Sequence, residues 1–370
     1  MDLDLKNPNV KSYTRQYPLS EADADEVDRQ IQQMCEVGLV RENNDCSWNS
    51  PVFVVAKKDN TKRMVVDLRK VNALLKPIIT LLPKIDELMQ QITAFKPSHL
   101  SSFDFFKGYY QVPLSKRSQP LTAFVSPKTG ISYCHVTLPM GLAASPAAFI
   151  QMMSKVFKDK TRWFFLFSYV DDLILVSTSF SEHLGHLKEV LHNLLINNLV
   201  INPTKTSIAY PEIEYLGYIV NQHGIRISEN KIKAIKAIQP PKTKKSLQRL
   251  LGLPQYFRKH IPNFSKKTAN MRQLLRNDTK FKWTDKCTAE LEELKIALTS
   301  NPIMKPLQPN RPVYLTVDAG MDGIGSMLWQ LDNNNVPHVC AYLSTATTPN
   351  QKKWLPFQNL LNTLSSQFFD

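Results

Sequence analysis

Three features of the sequence predict a chain of mixed α and β domains. Amphipathic helical segments alternate with short β-branched strands as far as residue 228, basic helices follow to about residue 300, and a fresh run of strands opens at Arg311. A length of 370 residues leaves room for several domains, since single cores seldom grow beyond about 250–300 residues.

Residues 20–37 read as a helix: Ser20 is a cap candidate, acids fill the first turn, Val27, Ile31 and Met34 recur at helical spacing, and Gly38 ends it. Residues 51–57 and 62–68 are β-branched runs around the polar turn Lys58-Asp59-Asn60-Thr61 and fit a hairpin. A second helix is predicted over 83–95, with Pro83 in its first turn, and a buried strand over 99–105. Strands at 120–125 and 132–137 pair across 126–130, a helix covers 143–157, and apolar strands at 164–169 and 173–177 flank Asp171 and Asp172. A helix at 181–197 leads to a hairpin of 213–220 with 225–228 around His223-Gly224. Helices at 229–238, 244–257, 264–276 and 288–298 come next, separated by Pro240-Pro241 and Pro262, and then strands at 313–317, 325–330 and 339–343.

The apolar fraction of 43% and charged fraction of 21% are those of a folded soluble protein, and no stretch approaches the ~20 apolar residues needed to cross a bilayer. Residues 1–11 are polar, with no basic-then-apolar leader, and the five cysteines have no metal-ligand spacing. An intracellular, reducing compartment is the expectation, cytoplasm and nucleus being equally open. The net charge of +14 is concentrated: residues 226–286 hold 17 Lys and Arg against Glu229, Asp278 and Asp285, so the rest of the chain is neutral as a whole. Scattered lysines usually form a solvated surface. A one-sign block interleaved with Tyr256, Phe257, Phe264 and Trp283 fits a polyphosphate partner better, and an anionic membrane less well, because the block has no long amphipathic helix with an aromatic face.

Two adjacent acids between buried strands require an explanation, because ionised carboxylates in apolar surroundings repel and lose hydration. Asp171-Asp172 could be an ordinary hairpin turn, but such turns favour Asn-Gly or a similar pair at positive φ, and neither residue is Gly. Asp104 closes another apolar strand, so three carboxylates converge if the strands are neighbours. Hard oxygens on a rigid sheet suit two magnesium ions that clamp the attacking and leaving oxygens of a phosphoryl transfer. The acids alone fit a polymerase, a nuclease or a phosphatase.

Tyr169-Val170-Asp171-Asp172 resembles the aromatic-x-Asp-Asp box of reverse transcriptases. Its surroundings match those of gypsy-like long-terminal-repeat retrotransposons and retroviruses in order and spacing from about Val27 to Gln330. The boxes include Cys46-Ser47-Trp48-Asn49-Ser50-Pro51, Arg63-Met64-Val65-Val66-Asp67-Leu68-Arg69, Leu138-Pro139-Met140-Gly141-Leu142 and Tyr215-Leu216-Gly217-Tyr218. Leu250-Leu251-Gly252-Leu253 and Ile261-Pro262-Asn263-Phe264-Ser265 look like the thumb of the same elements. The resemblance implies a right-hand polymerase. Residues 1–19 would be an N-terminal extension, 20–102 fingers and the start of the palm, 103–228 palm with fingers strands near 115–137, and 229–300 thumb and connection.

It also implies roles. Asp104, Asp171, Asp172 and the backbone carbonyl of Phe105 would hold two Mg2+, for which Mn2+ can substitute. Lys57, Lys58 and Arg63 would meet the triphosphate of a deoxynucleotide, cations matched to phosphates. Tyr109 would be the steric gate against a ribose 2′-hydroxyl, and Met140 would support the templating base pair. Tyr169, Gly217, Tyr218, Lys242, Lys244, Lys245 and Arg249 would contact an RNA template or a DNA primer–template duplex. Outside these boxes Met140 and Tyr109 would be read as core. Phe105-Phe106-Lys107-Gly108 departs from the family's Leu-Lys-Ser-Gly run but keeps the spacing from Asp104 to Tyr109, so the geometry is expected to survive.

Residues 301–370 resemble the opening of a ribonuclease H domain. Asp318 matches its first acid, Asn359 stands where the second, a Glu, is expected, and the later acids would lie past Asp370. The expectation is an incomplete domain without ribonuclease H activity. A polymerase copying RNA or DNA is the leading expectation. A noncatalytic nucleic-acid-binding relic is its rival, favoured by the absence of the protease and integrase that accompany such polymerases. An RNA-dependent RNA polymerase is disfavoured by Tyr109.

Overall fold

A computed structural model of the chain describes residues 1–45, 47–56, 61–159, 161–300, 304–308, 310–320 and 323–347. They form two compact units, one built from the described residues of Met1–Pro83, Ser101–Leu175 and Leu184–Ile208, the other from Lys84–Leu100, Val176–His183 and the described residues from Ala209 onward. Among the described residues no helix is long and apolar enough to cross a membrane.

The first unit opens with the helix Glu21–Glu36, whose Ser20 side chain accepts the Asp23 amide while Val27 and Ile31 face the core. Val52–Ala56 and Lys62–Val66 form the expected antiparallel hairpin, with Val54 opposite Met64. Glutamines close both outer edges of this ribbon. Gln16 bonds both the amide and the carbonyl of Val52, at 2.8 and 2.7 Å, while Gln30 bonds the Met64 amide at 2.9 Å and the Lys62 carbonyl at 3.0 Å. A strand Val40–Glu42, which the sequence does not predict, pairs with Ser132–His135, and that in turn with Phe124–Val125. The predicted strand over 120–125 is shorter because Pro120 starts a 3-10 turn, Gln119–Thr122; a proline fits a first helical turn, where its missing N–H costs nothing. The ends of Leu166–Tyr169, Asp172–Ser177, His99–Asp104 and Ser207–Tyr210 lie here, strands that share one sheet in that order. Helix Ser145–Val156 presses Phe149 into a core with Phe103, Phe105, Leu138 and Leu173.

In the second unit, helix Ile85–Ala94 starts two residues later than predicted: Lys84 is its extended N-cap and Pro83 lies outside the first turn. The predicted strand 213–220 is broken in two. Leu216 and Gly217 both take positive φ, +51° and +83°, so Glu212–Tyr215 folds back on Tyr218–Asn221 through a two-residue turn, and Gly224–Ile227 completes a three-stranded sheet. A Cβ on Gly217 would lie 3.2 Å from the flexible end of Lys231, which can yield, so it is the positive φ that favours glycine here. Helices Glu229–Lys236, Lys244–Tyr256 and Asp285–Thr299 are capped by Ser228, Thr243 and Thr284. The predicted helix 264–276 is reduced to a 3-10 turn and the short helix Ala269–Gln273, because Thr268 Oγ1 bonds back to the Phe264 carbonyl at 2.9 Å and competes with the helical ladder. Tyr314–Gly320, Gly323–Leu331 and Pro337–Ala346 form an antiparallel meander.

Candidate active site

The turn between Leu166–Tyr169 and Asp172–Ser177 closes on the pair Tyr169–Asp172, so its two central residues are Val170 and Asp171. Val170 sits at φ +57°. A β-branched side chain in the left-handed region costs about 1–3 kcal/mol, and the apolar run of Leu173, Ile174, Leu175 and Val176 behind it holds the turn in place. Asp171 therefore projects from a strained tip, and Asp172 begins the next strand.

Asp104 ends the strand that neighbours Asp172–Ser177 in the sheet. Its carbonyl accepts the Asn202 amide at 2.7 Å, and the Phe106 amide donates to the Val200 carbonyl at 3.0 Å. These bonds flank an isolated bridge of Phe105 with Ile201 and do not use the Phe105 carbonyl. Lys205 Nζ lies 3.4 Å from Asp104 Oδ2. Asp172 is exposed at the head of its strand, but crowding by neighbouring protein first, then the charges of Asp171 and Asp104, push its carboxyl up to about 6, with Lys205 opposing. The charges of Asp171 and Asp104 thus bear on Asp172. The hard oxygens of these acids fit magnesium, and a dication would offset those charges. Among the described residues, no three His, Cys, Asp or Glu side chains are gathered tightly enough to hold an ion as they stand.

Lys205 was not singled out from the sequence. Its signal is Asn202-Pro203: the Asn202 side chain caps Thr204 and Pro203 starts the turn Pro203–Lys205, which carries the ammonium.

Tyr109 lies on the 3-10 turn Gly108–Gln111 and packs edge-on against Phe149, with centroids 6.0 Å apart. Burial, then the charge of Asp171, pushes its phenol upward, which places the ring within electrostatic reach of the carboxylates. Phe149 also meets Phe105 at 5.3 Å, and a Cβ on Gly108 would stand 3.4 Å from both Phe105 and Phe149. The segment from Asp104 to Tyr109 is thereby pressed onto one buried ring, whose truncation to Ala would cost about 3–5 kcal/mol. Its departure from the family run leaves Phe106 exposed, with Lys107 Nζ 5.6 Å from that ring.

Arg63, on Lys62–Val66, donates from its guanidinium to Met140 Sδ. Both line a cleft of about 1050 Å³ with Arg29, Gln30, Tyr110 and His135. None of the three carboxylates lines it, although Lys107 and Tyr110, on either side of Tyr109 in the sequence, do. Lys57 and Lys58 lie outside the described residues.

Within the second unit, Gly217 forms the turn just described, while the Tyr218 ring is only 2% exposed and is surrounded by Tyr256, Phe257 and His260. Tyr256 Oη donates to the Leu216 carbonyl at 2.8 Å and fixes the tip. Lys242, Lys245 and Arg249 are exposed, whereas the Lys244 ammonium is bound to the Arg276 carbonyl. Asp318 is exposed on its strand opposite Gly325, and Asn359 lies outside the described residues.

This arrangement belongs to a known class. Residues 55–220 match the family described as reverse transcriptase (RNA-dependent DNA polymerase), and residues 283–365 the RNase H-like domain found in reverse transcriptase. The chain carries a reverse transcriptase domain followed by a ribonuclease H-like segment. It is similar to the Transposon Tf2-3 polyprotein of Schizosaccharomyces pombe, 29% identical over 93% of this chain and 25% of that protein. It is also similar to the retrovirus-related Pol polyprotein from transposon 297 of Drosophila melanogaster, 33% identical over 87% of this chain and 30% of that one. It thus spans about a quarter to a third of the length of these relatives. The foamy viral protease-reverse transcriptase in complex with dsDNA superposes with a TM-score of 0.84 and 25% identity, over 99% of this chain and 77% of that one. The same viral protein with an RNA/DNA hybrid gives 0.83 and 24%. The mixed α/β polymerase architecture expected from the sequence is the one these structures share.

Proposed function

We propose that this chain is an RNA- and DNA-directed DNA polymerase that adds deoxynucleotides to a primer 3′-hydroxyl by two-metal chemistry. The observation that supports the reading is that Asp104 ends the strand hydrogen-bonded beside Asp172–Ser177, with Asp171 at the strained turn just before it.

Asp104, Asp171, Asp172 and the Phe105 carbonyl would hold two Mg2+, or Mn2+ in their place. When bound, the ions would acidify the primer hydroxyl and stabilise the leaving pyrophosphate. The remaining roles fall to the chain's own side chains. Arg63 offers a fork of donors to phosphate oxygens, and Lys57 and Lys58 add point charges. Tyr109 fills the space of a 2′-hydroxyl, and Met140 offers an apolar shelf for a base pair. Lys205 lowers the mutual repulsion of the acids. The Leu216–Gly217 turn, which the buried Tyr218 ring supports from beneath and does not extend, and the exposed Lys242, Lys245 and Arg249 would hold the duplex, a partner supported by the dsDNA and RNA/DNA hybrid bound to the structural relatives.

Primer extension with purified protein, magnesium and deoxynucleoside triphosphates on RNA and on DNA templates tests the reading. Extension on both is the expected result. Duplex binding without extension would establish the noncatalytic alternative.

A further inference from the structure

We propose that Gln111 is a positioning residue that locks the sugar gate Tyr109 onto the segment carrying Lys205; the assignment rests on the polymerase reading.

One side-chain amide does three things. Gln111 Nε2 donates to the Phe106 carbonyl at 2.7 Å and to the Val200 carbonyl at 2.8 Å, while Oε1 accepts the Val200 amide at 2.8 Å. The bonds to Val200 imitate a strand partner for a single residue, and the bond to Phe106 closes the loop 106–111 on itself. Tyr109 lies inside that loop. The loop contains a left-handed residue, Lys107 at φ +49°, an unfavourable conformation that the bond from the Tyr110 amide to the Lys107 carbonyl at 2.8 Å and the Gln111 side chain hold together. On its inner side the loop rests on Phe149. On its outer side Gln111 is the side chain that ties it down.

The second segment is fixed at both ends of a short stretch. Gln111 grips Val200, and two residues later the Asn202 amide bonds the Asp104 carbonyl. Asn202 then caps the turn that delivers Lys205 to Asp104. The Phe106 amide already joins the two segments by its bond to the Val200 carbonyl, and Gln111 adds a second tie from the far side of the Tyr109 loop, so that the placement of Tyr109 is coupled to that of Lys205. A displacement of about 1 Å at a reacting centre can cost as much as 100-fold in rate, so a tie of this kind bears on selectivity even though its bonds lie at the surface. Because they lie at the surface, water can replace them and the variant should fold.

The test compares Gln111→Ala with Gln16→Ala, using the ratio of efficiencies for matched deoxy- and ribonucleotides. Gln16 is a matched control: its amide also makes three bonds to backbone groups, of Tyr17 and Val52, on the hairpin that carries Arg63 and not on the loop of Tyr109, so it bears on triphosphate binding, which both sugars share, and not on their ratio. Gln111→Ala should raise the nucleotide KM and lower the sugar ratio about tenfold, while Gln16→Ala leaves the ratio unchanged. In the double variant Tyr109→Ala, Gln111→Ala the ratio should equal that of Tyr109→Ala alone, because both act through one ring. An unchanged ratio in Gln111→Ala, an equal effect of Gln16→Ala, or multiplying effects in the double variant would overturn the assignment. Wild-type protein that fails to extend any primer would instead overturn the polymerase reading, and this assignment with it.

Discussion

Lys205 Nζ stands 3.4 Å from Asp104 Oδ2, across about a hundred residues of sequence, and joins the strand end at Asp104 to a capped turn. The ammonium is largely exposed, so the pair is worth at most about 1 kcal/mol of stability. Its consequence is electrostatic: a cation beside Asp104 that also opposes the upward shift of the Asp172 carboxyl.

That contrast gives a prediction with two arms. Lys205→Gln should change folding stability by less than about 1 kcal/mol, measured by denaturant titration. Asp104→Asn and Asp171→Asn should each abolish nucleotide addition while primer–template binding persists, since each removes a charge shared by two ions. Near-normal extension by Asp171→Asn would remove the carboxylates from the mechanism.

Tyr109 acts by bulk in this reading, with its ring braced on Phe149. Tyr109→Ala should admit ribonucleotides, narrowing the sugar ratio about tenfold or more, whereas Tyr109→Phe should keep it. If alanine left the ratio where it was, the ring would be core and the gate would lie elsewhere.

The basic block divides by structure. Lys242, Lys245 and Arg249 are exposed, but Lys244 is already spent on the Arg276 carbonyl. Replacing the three exposed cations with Gln should flatten the plot of log affinity for duplex against log salt by up to about three units of slope, roughly 0.9 for each phosphate that is no longer neutralised. Lys244→Gln should leave the slope nearly unchanged. Equal effects of Lys244 and Lys245 would show that the two face the duplex alike.

Much of the site was legible because its acids are local anomalies: Asp104, Asp171 and Asp172 interrupt apolar strands, where a charge has no structural reason to be. The strained turn was foreshadowed by the absence of Gly, although the residue at positive φ is Val170 and not one of the acids. Lys205 and Gln111 were not legible, since each acts through backbone or carboxylate partners about 90 to 100 residues away. The break at Leu216 was hidden because a leucine at positive φ carries no local signal. Tyr218 matched a family box, yet periodicity could not reveal that its ring is enclosed by aromatic neighbours.

One of those neighbours supplies the last prediction. His260 is 3% exposed, stacks on Tyr218 at 5.5 Å and has no hydrogen-bond partner on either ring nitrogen. It borders a small cavity of about 30 Å³ with Asp86, Lys259, Lys305 and Cys340, and Lys259 pairs with Asp86 at 2.7 Å. Burial lowers its pKa to about 4; Asp86 pulls upward and Lys259 downward. In the unfolded chain the imidazole titrates near 6.5, so between about pH 6.5 and 4 the unfolded state binds a proton that the folded state refuses. Stability is therefore complete above pH 6.5, falls as pH drops through this window, and levels off below about 4, a loss on the order of 3 kcal/mol at most. His260→Phe keeps an aromatic ring against Tyr218 and removes the titration. Denaturant titrations of both proteins at pH 7.5 and pH 4.5 separate this group from the carboxylates, which are common to the two. The stability lost by wild type between these values should exceed that lost by the variant by about 1–3 kcal/mol. Parallel losses would mean that His260 is protonated in the folded protein, with water reaching its ring through the cavity.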